Sequence, residues 1–170
     1  MESKYPRDTY NITSEIVLPN DTNTLGNLMG GRLMHMMDIS AAISAMRHCN
    51  RPVVTASVDN VSFSKPIQLG NLVTIESRVS RSFNTSMEVF LRVWGENLQT
   101  KEKFITNEAY FTFVALDDNR KPIQVAPIVP ETEEEIKMFD GALRRRQLRL
   151  ILGGKMKPDE AGELRSLFVH

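Results

Sequence analysis

Beginning at Gly31, the sequence carries a run that can form one kind of element only. Leu33, Met36, Met37, Ser40, Ala41, Ser44, Ala45 and His48 recur at the spacing of a single α-helical face. Arg51-Pro52 stops the run. The second half of the stripe is alanine and serine, so this helix can approach its neighbouring layer very closely. After it the chain is almost all strand signal. "VVTASVDNVSF" (53–63), "NLVTIESRVS" (71–80), "SMEVFLRVW" (86–94) and "FITNEAYFTFVAL" (104–116) alternate with period two, and turn-rich clusters separate them. "TYNITSEIVL" (9–18) precedes the helix as a first strand. Short turns between long strands predict an antiparallel meander. One long helix against one curved antiparallel sheet is an α+β arrangement.

One such helix covers a limited stretch of a five-stranded sheet. Phe90, Val93, Tyr110, Phe111 and Phe113 therefore call for more cover than one chain supplies, which predicts an oligomer. Beyond the strands, Pro130 introduces a peripheral helix over 131–152. Thr132 and Glu135 form a capping box there, with acidic residues first and basic residues last. Residues 153–170 read as a loosely held tail.

A chain of 170 residues is long enough to bury a real core as one domain. Its 21 basic and 21 acidic residues balance, which gives no obligatory nucleic-acid partner and no anionic-membrane partner. The N-terminus "MESKYPRDTY" has no apolar signal region, and no window approaches a membrane span. Cys49 is the only cysteine, which excludes an internal disulfide and fits a reducing, cytoplasmic setting.

Nucleophile-elbow, metalloprotease, Cys-x-x-Cys and phosphate-loop signatures are all missing, and three histidines with one cysteine make no metal site. His48, on the apolar stripe, reads as a core or interface histidine, and Cys49 as a small buried hydrophobe. The chemistry concentrates in "NLMGGRLMHMMD" (27–38). Gly30-Gly31 opens a helix whose first N–H groups have no intrahelical partners, and glycine admits close approach to that backbone. Such a start suits an oxyanion or a phosphate, although the same pair also serves as a plain tight turn.

Asp38 follows two turns into the helix, with Met34, Ala41 and Ala42 as same-face neighbours. Desolvation of a buried carboxylate favours its neutral form and tunes it toward general-base work, whereas an exposed flank would leave it ordinary. Asn23, just before the glycines, can donate and accept hydrogen bonds, or simply build a turn. An amide, an oxyanion-type helix start and an acid make a set suited to water attack on an acyl carbonyl.

The stretches "LPNDTNTLGNLMGGRLMHMMDISAAISAMRHCN" and "VVTASVDNVSFSKPIQLGNLVTI" carry the pattern D-x-N-x-x-G-x-x-x-G-G followed by six residues and D. They resemble the acyl-CoA thioesterases of the hotdog fold, of the bacterial short/medium-chain hydrolase type, and the halves of the cytosolic brain-type enzyme of animals. The resemblance covers about residues 8–130. It implies a long central helix wrapped by the sheet, and a homodimer with active sites at its interface, often assembled as a trimer of dimers. It further implies Asp38 as general base or nucleophile, the Gly31 N–H as the polariser of the thioester carbonyl, and Asn23 contributed by the partner subunit. By the same resemblance Lys65, Arg81, Thr85 and Ser86 would serve coenzyme A, which is part of the substrate and not a cofactor. The arginines at 144–146 could add a phosphate clamp, or simply form a solvated helix end.

The expected activity is hydrolysis of fatty acyl-CoA to free acid and CoA. A non-catalytic acyl-CoA sensor on the same fold is the alternative, but the chain leaves no room for a DNA-binding module before Tyr10. A dehydratase would need a histidine across from the acid. His35 instead precedes Asp38 on the same helix.

Overall fold

The computed structural model describes residues 1–59 and 61–168. The chain divides into two compact units, Met1–Val129 and Pro130–His170. In the first, a one-turn helix α1 (Pro6–Thr9) leads into β1 (Asn11–Ile16), the long helix α2 (Gly30–Cys49), and strands β2 (Val53–Asp59), β3 (Leu72–Ser82), β4 (Ser86–Glu96) and β5 (Lys103–Ala115). The sheet is antiparallel throughout, in the order β1-β3-β4-β5-β2.

α2 touches all five strands and buries Leu33, Met36, Met37, Ser40, Ala41, Ser44, Ala45 and His48. These are the eight positions of the predicted stripe. The small residues let a polar seam form in the middle of the contact. The Ser77 hydroxyl of β3 lies 2.9 Å from that of Ser40 and 2.8 Å from that of Ser44, and Asn11 Nδ2 donates to Ser40 Oγ at 3.0 Å. Every member is paired, as burial of polar groups demands. The helix ends at Asn50, in the left-handed region at φ 53°, with its N–H bonded to the Met46 carbonyl at 2.7 Å.

Two expectations need correction. The strands are not a simple meander: β3-β4-β5 is one, but β2 pairs with β5 at the opposite edge from β1. The chain after β2 must therefore cross the end of the sheet to reach β3. It does so past the start of α2, where Leu28 N–H bonds the Ile67 carbonyl at 2.7 Å and Leu69 N–H bonds the Gly26 carbonyl at 2.9 Å. Nor do four of the five named core residues lack cover, Tyr110 being half-buried. Val93, Phe111 and Phe113 are fully buried. Phe90 is 2 % exposed, packed against Tyr110 at 5.4 Å and under the Arg78 and Arg92 guanidinium groups. On the sheet, exposed apolar residues lie on both edge strands, Ile12 and Ile16 on β1 and Val54 and Val58 on β2.

In the second unit, α3 (Glu133–Leu152) starts at the predicted box. Thr132 Oγ1 accepts from Glu135 N–H at 3.2 Å, and Glu135 Oε2 accepts from Thr132 N–H at 3.1 Å. Residues 153–168 hold more order than the sequence indicates. They include a short helix α4 (Gly162–Arg165), and the Leu164 N–H is pinned to Gln147 Oε1 at 2.8 Å. Arg145 donates to the Met138 carbonyl at 2.6 Å, folding over Gly141, where a Cβ would meet its guanidinium.

Candidate active site

The start of α2 is held by charge. Arg32 Nε donates to Asp21 Oδ1 at 2.9 Å, and a terminal nitrogen donates to Glu15 Oε2 at 3.1 Å. The second Asp21 oxygen accepts from Leu18 N–H at 3.2 Å, and the Asp21 carbonyl accepts from Met29 N–H at 2.9 Å. The Arg32 bond, more than any other influence, holds the Asp21 carboxyl below its ordinary range. These bonds fold residues 17–29 into a fixed approach to the helix.

Asn23 belongs to that approach. Its side-chain oxygen accepts from Leu25 N–H at 2.9 Å and Asn27 N–H at 3.2 Å. The carboxamide oxygen is thus spent on the loop, and its NH2 is the end left to meet a ligand. The helix start itself carries no side-chain cap, so its first N–H groups remain open. The two glycines differ. A Cβ on Gly30 would lie 3.1 Å from the Phe63 ring, whereas one on Gly31 would meet nothing within 4 Å. Gly30 packs tightly against the Phe63 ring, and Gly31 presents open backbone. Together Asn23, Gly30, Leu33, Phe63 and Lys65 line a cavity of about 260 Å³.

Asp38 does not reach that cavity. On one helix, with 1.5 Å rise per residue, it stands about 10 Å along the axis from Gly31. It is half-buried, not buried as its neighbours suggested, and its Oδ1 accepts from Thr55 Oγ1 of β2 at 2.7 Å. Thr55 went unread in the sequence. It is one alternating residue among many in β2, and a register shift between Thr55 and Ser57 sets the face each presents. Nothing in the local pattern signals that shift.

The coenzyme A candidates also separate. Lys65 lines the cavity beside Thr106, near the beginning of β5. Arg81, Thr85 and Ser86 gather at the β3–β4 turn, where the Thr85 carbonyl accepts from Ala115 N–H at 3.0 Å and Arg81 lies over the Phe83 ring. From Thr106 to Ala115 an extended strand runs about 30 Å. The two groups do not form one site within a single chain.

His48 and Cys49 stand apart from this chemistry. His48 is buried, with Nε2 donating to the Ala126 carbonyl at 2.8 Å and, among the described residues, no partner at Nδ1. Burial holds the imidazole below its ordinary value and hence neutral. The Cys49 thiol donates to the Arg51 carbonyl at 3.4 Å, and burial raises it.

Residues 25–101 match the Thioesterase superfamily. The YkhA acyl-CoA thioester hydrolase of Bacillus subtilis is 44% identical over 148 residues, spanning 87% of this chain and 86% of that protein. This chain belongs to the hotdog-fold acyl-CoA thioesterases. A hexameric acyl-CoA thioesterase solved in its apo form superposes with a TM-score of 0.87 at 38% identity, over 90% of this chain and 98% of that one. The acyl-CoA hydrolase of Staphylococcus aureus, solved with butyryl coenzyme A and coenzyme A, gives 0.83 at 35% identity, over 91% of this chain and 96% of that one. Structures of that hydrolase also exist with a single aspartate, threonine or asparagine replaced by alanine. The hotdog arrangement accounts for the features above: α2 is the enclosed filling, and the sheet with β2 at its free edge is the wrap. Among the described residues no helix is long and apolar enough to cross a membrane.

Proposed function

We propose that this acyl-CoA thioester hydrolase completes each active site between two copies of the chain. The observation that carries the reading is the separation on α2. Gly31 and Asn23 stand at one end and Asp38 with Thr55 two turns away, too far apart to act on one carbonyl carbon. The free edge of β2, with Val54 47 % and Val58 40 % exposed, is the surface through which a second copy can supply the missing half. Residues spaced and ordered like Asn23, Asp38 and Thr55 are the ones replaced in the three S. aureus variants, which supports the same assignment here.

In this site the thioester carbonyl oxygen accepts from the Gly31 N–H, where the helix start favours developing negative charge. The Asn23 NH2 orients the ester or the attacking water. Asp38 of the second copy, with one oxygen held by Thr55, takes the water proton as oxygen bonds to the carbonyl carbon. The tetrahedral oxyanion then collapses, the C–S bond breaks, and CoA leaves as thiolate beside the free acid. Coenzyme A enters only with the substrate, and no cofactor is called for. Lys65 meets the CoA moiety from the cavity side, and the Arg81–Ser86 group serves it from the other copy. The likeness to a hexameric relative supports a trimer of such dimers. The unpaired Cys49 fits a reducing, cytoplasmic compartment.

The test is complementation. Asn23→Ala and Asp38→Ala proteins, each inactive, are co-expressed so that mixed dimers form. Random pairing restores about a quarter of the wild-type activity, since half the dimers are mixed and each has one intact site. If mixed dimers form and no activity returns, the shared site is wrong.

A further inference from the structure

Thr106 is left out of the β4–β5 ladder, which joins Val93 to Asn107 and then Trp94 to Ile105. A bulged residue is released from its strand partner and re-aimed. Here both the side chain and the carbonyl turn to the segment that crosses the sheet after β2. The Thr106 hydroxyl donates to the Lys65 carbonyl at 2.5 Å. The Thr106 carbonyl accepts from the Ser64 N–H at 3.3 Å and from the Ser64 hydroxyl at 2.7 Å. Among the described residues, these are the hydrogen bonds that tie residues 61–66 to the sheet. Thr106 is 2 % exposed, so removing this bond leaves a buried polar group without its partner.

The segment so held forms one wall of the cavity at the α2 start. Phe63 lies against Gly30, and Lys65 lines the same space with Nζ over the Phe104 ring at 5.6 Å. Thr106 itself lines the cavity. We propose that Thr106 is a positioning residue for the acyl-CoA ester: its bulge clasps the Phe63–Lys65 segment in place, so that the substrate docks against a preformed wall. The inference rests on the hydrolase reading and adds to it a residue acting through Lys65 and Phe63. A wall ordered before binding saves the substrate the cost of ordering it, so the effect falls on KM more than on kcat.

The experiment is steady-state hydrolysis of one acyl-CoA by wild type, Thr106→Val, Thr106→Ser, Ser64→Ala, Lys65→Ala and the Thr106→Val/Lys65→Ala pair, each checked for wild-type melting behaviour. Thr106→Val should raise KM about tenfold, the worth of one hydrogen bond, with kcat within about threefold. Thr106→Ser keeps the hydroxyl and restores KM. In the Lys65→Ala background the Thr106→Val effect shrinks, because the two residues act through one another. A folded Thr106→Val protein with wild-type KM overturns the proposal, as does full additivity in the pair. Should Thr106→Val fail to fold, Ser64→Ala loosens the same clasp from the loop side, and an unchanged KM there overturns it equally. A wild-type protein that hydrolyses no acyl-CoA at all is a different failure, and it removes the hydrolase reading beneath the proposal.

Discussion

The two ends of the candidate site on α2 are built differently. The start is clamped within one chain: Arg32 bridges Asp21 and Glu15, Asn23 spends its oxygen on the loop, and Phe63 closes on Gly30. The middle, at Asp38, has among the described residues a single side-chain hydrogen bond, from Thr55, and its carboxylate is half-exposed beside an edge strand. A rigid donor site must be set before the carbonyl arrives, since preorganised dipoles are what make such a site effective. On the proposed reading, the acid can be left open because a second copy supplies its surroundings.

Asp38→Ala should break the comparison most severely. It removes the proposed base and leaves the clamped end intact, so kcat should fall by about a thousandfold while CoA affinity holds within about threefold. Parallel turnover and calorimetric CoA titrations decide it, and near-normal turnover would refute the assignment. Thr55→Val tests the other contact at this end. The isosteric change removes the donor to Asp38, and kcat should fall about tenfold with the melting temperature nearly unchanged. A loss in KM alone would mean that Thr55 serves binding and not the acid.

The clamped end is tested by Arg32→Ala, which frees the 17–29 approach. A loss of about fivefold in kcat/KM is expected, and Arg32→Lys should not restore it, because one ammonium cannot reproduce a forked contact to two carboxylates. Full recovery with lysine would show that charge alone, without geometry, holds the helix start.

How much of this was readable beforehand follows the range of the interactions. The α2 stripe is a local periodicity, and each of its eight positions is buried as written in the sequence. The Thr132–Glu135 cap is local too. Asn23 and Gly31 were read from the sequence as a polar group and open backbone near one helix start, and Lys65 only through the family resemblance; the cavity places Asn23 and Lys65 beside Gly30 and Leu33. The failures are long-range. That β2 pairs with β5 at the far edge is decided by the whole sheet, and with it go the position of Thr55, the crossing segment and the Thr106 bulge. The half-burial of Asp38 could not be read from Met34, Ala41 and Ala42, because helical neighbours say nothing about which strand lies over them.

The smallest effect expected concerns neither end of the site but the far end of the same helix. His48 is buried and neutral, and burial holds its folded-state proton affinity below that of the unfolded chain, whose ordinary value is 6.5. Between the two values the unfolded state binds more protons, so stability is fully present above about pH 6.5 and is lost as pH falls through the interval below it. A tenfold difference in proton affinity is worth about 1.4 kcal/mol, so denaturation midpoints between pH 7 and 5 should show a modest decline. Asp21, held low by Arg32, loses its contribution only as pH falls below its ordinary 3.8, in a separate window. His48→Gln can still donate to the Ala126 carbonyl but cannot take up a proton, so it should flatten the upper decline and leave the acid limb in place. If the decline between pH 6.5 and 5 persists in that variant, the titrating group lies elsewhere, and His48 is only packing.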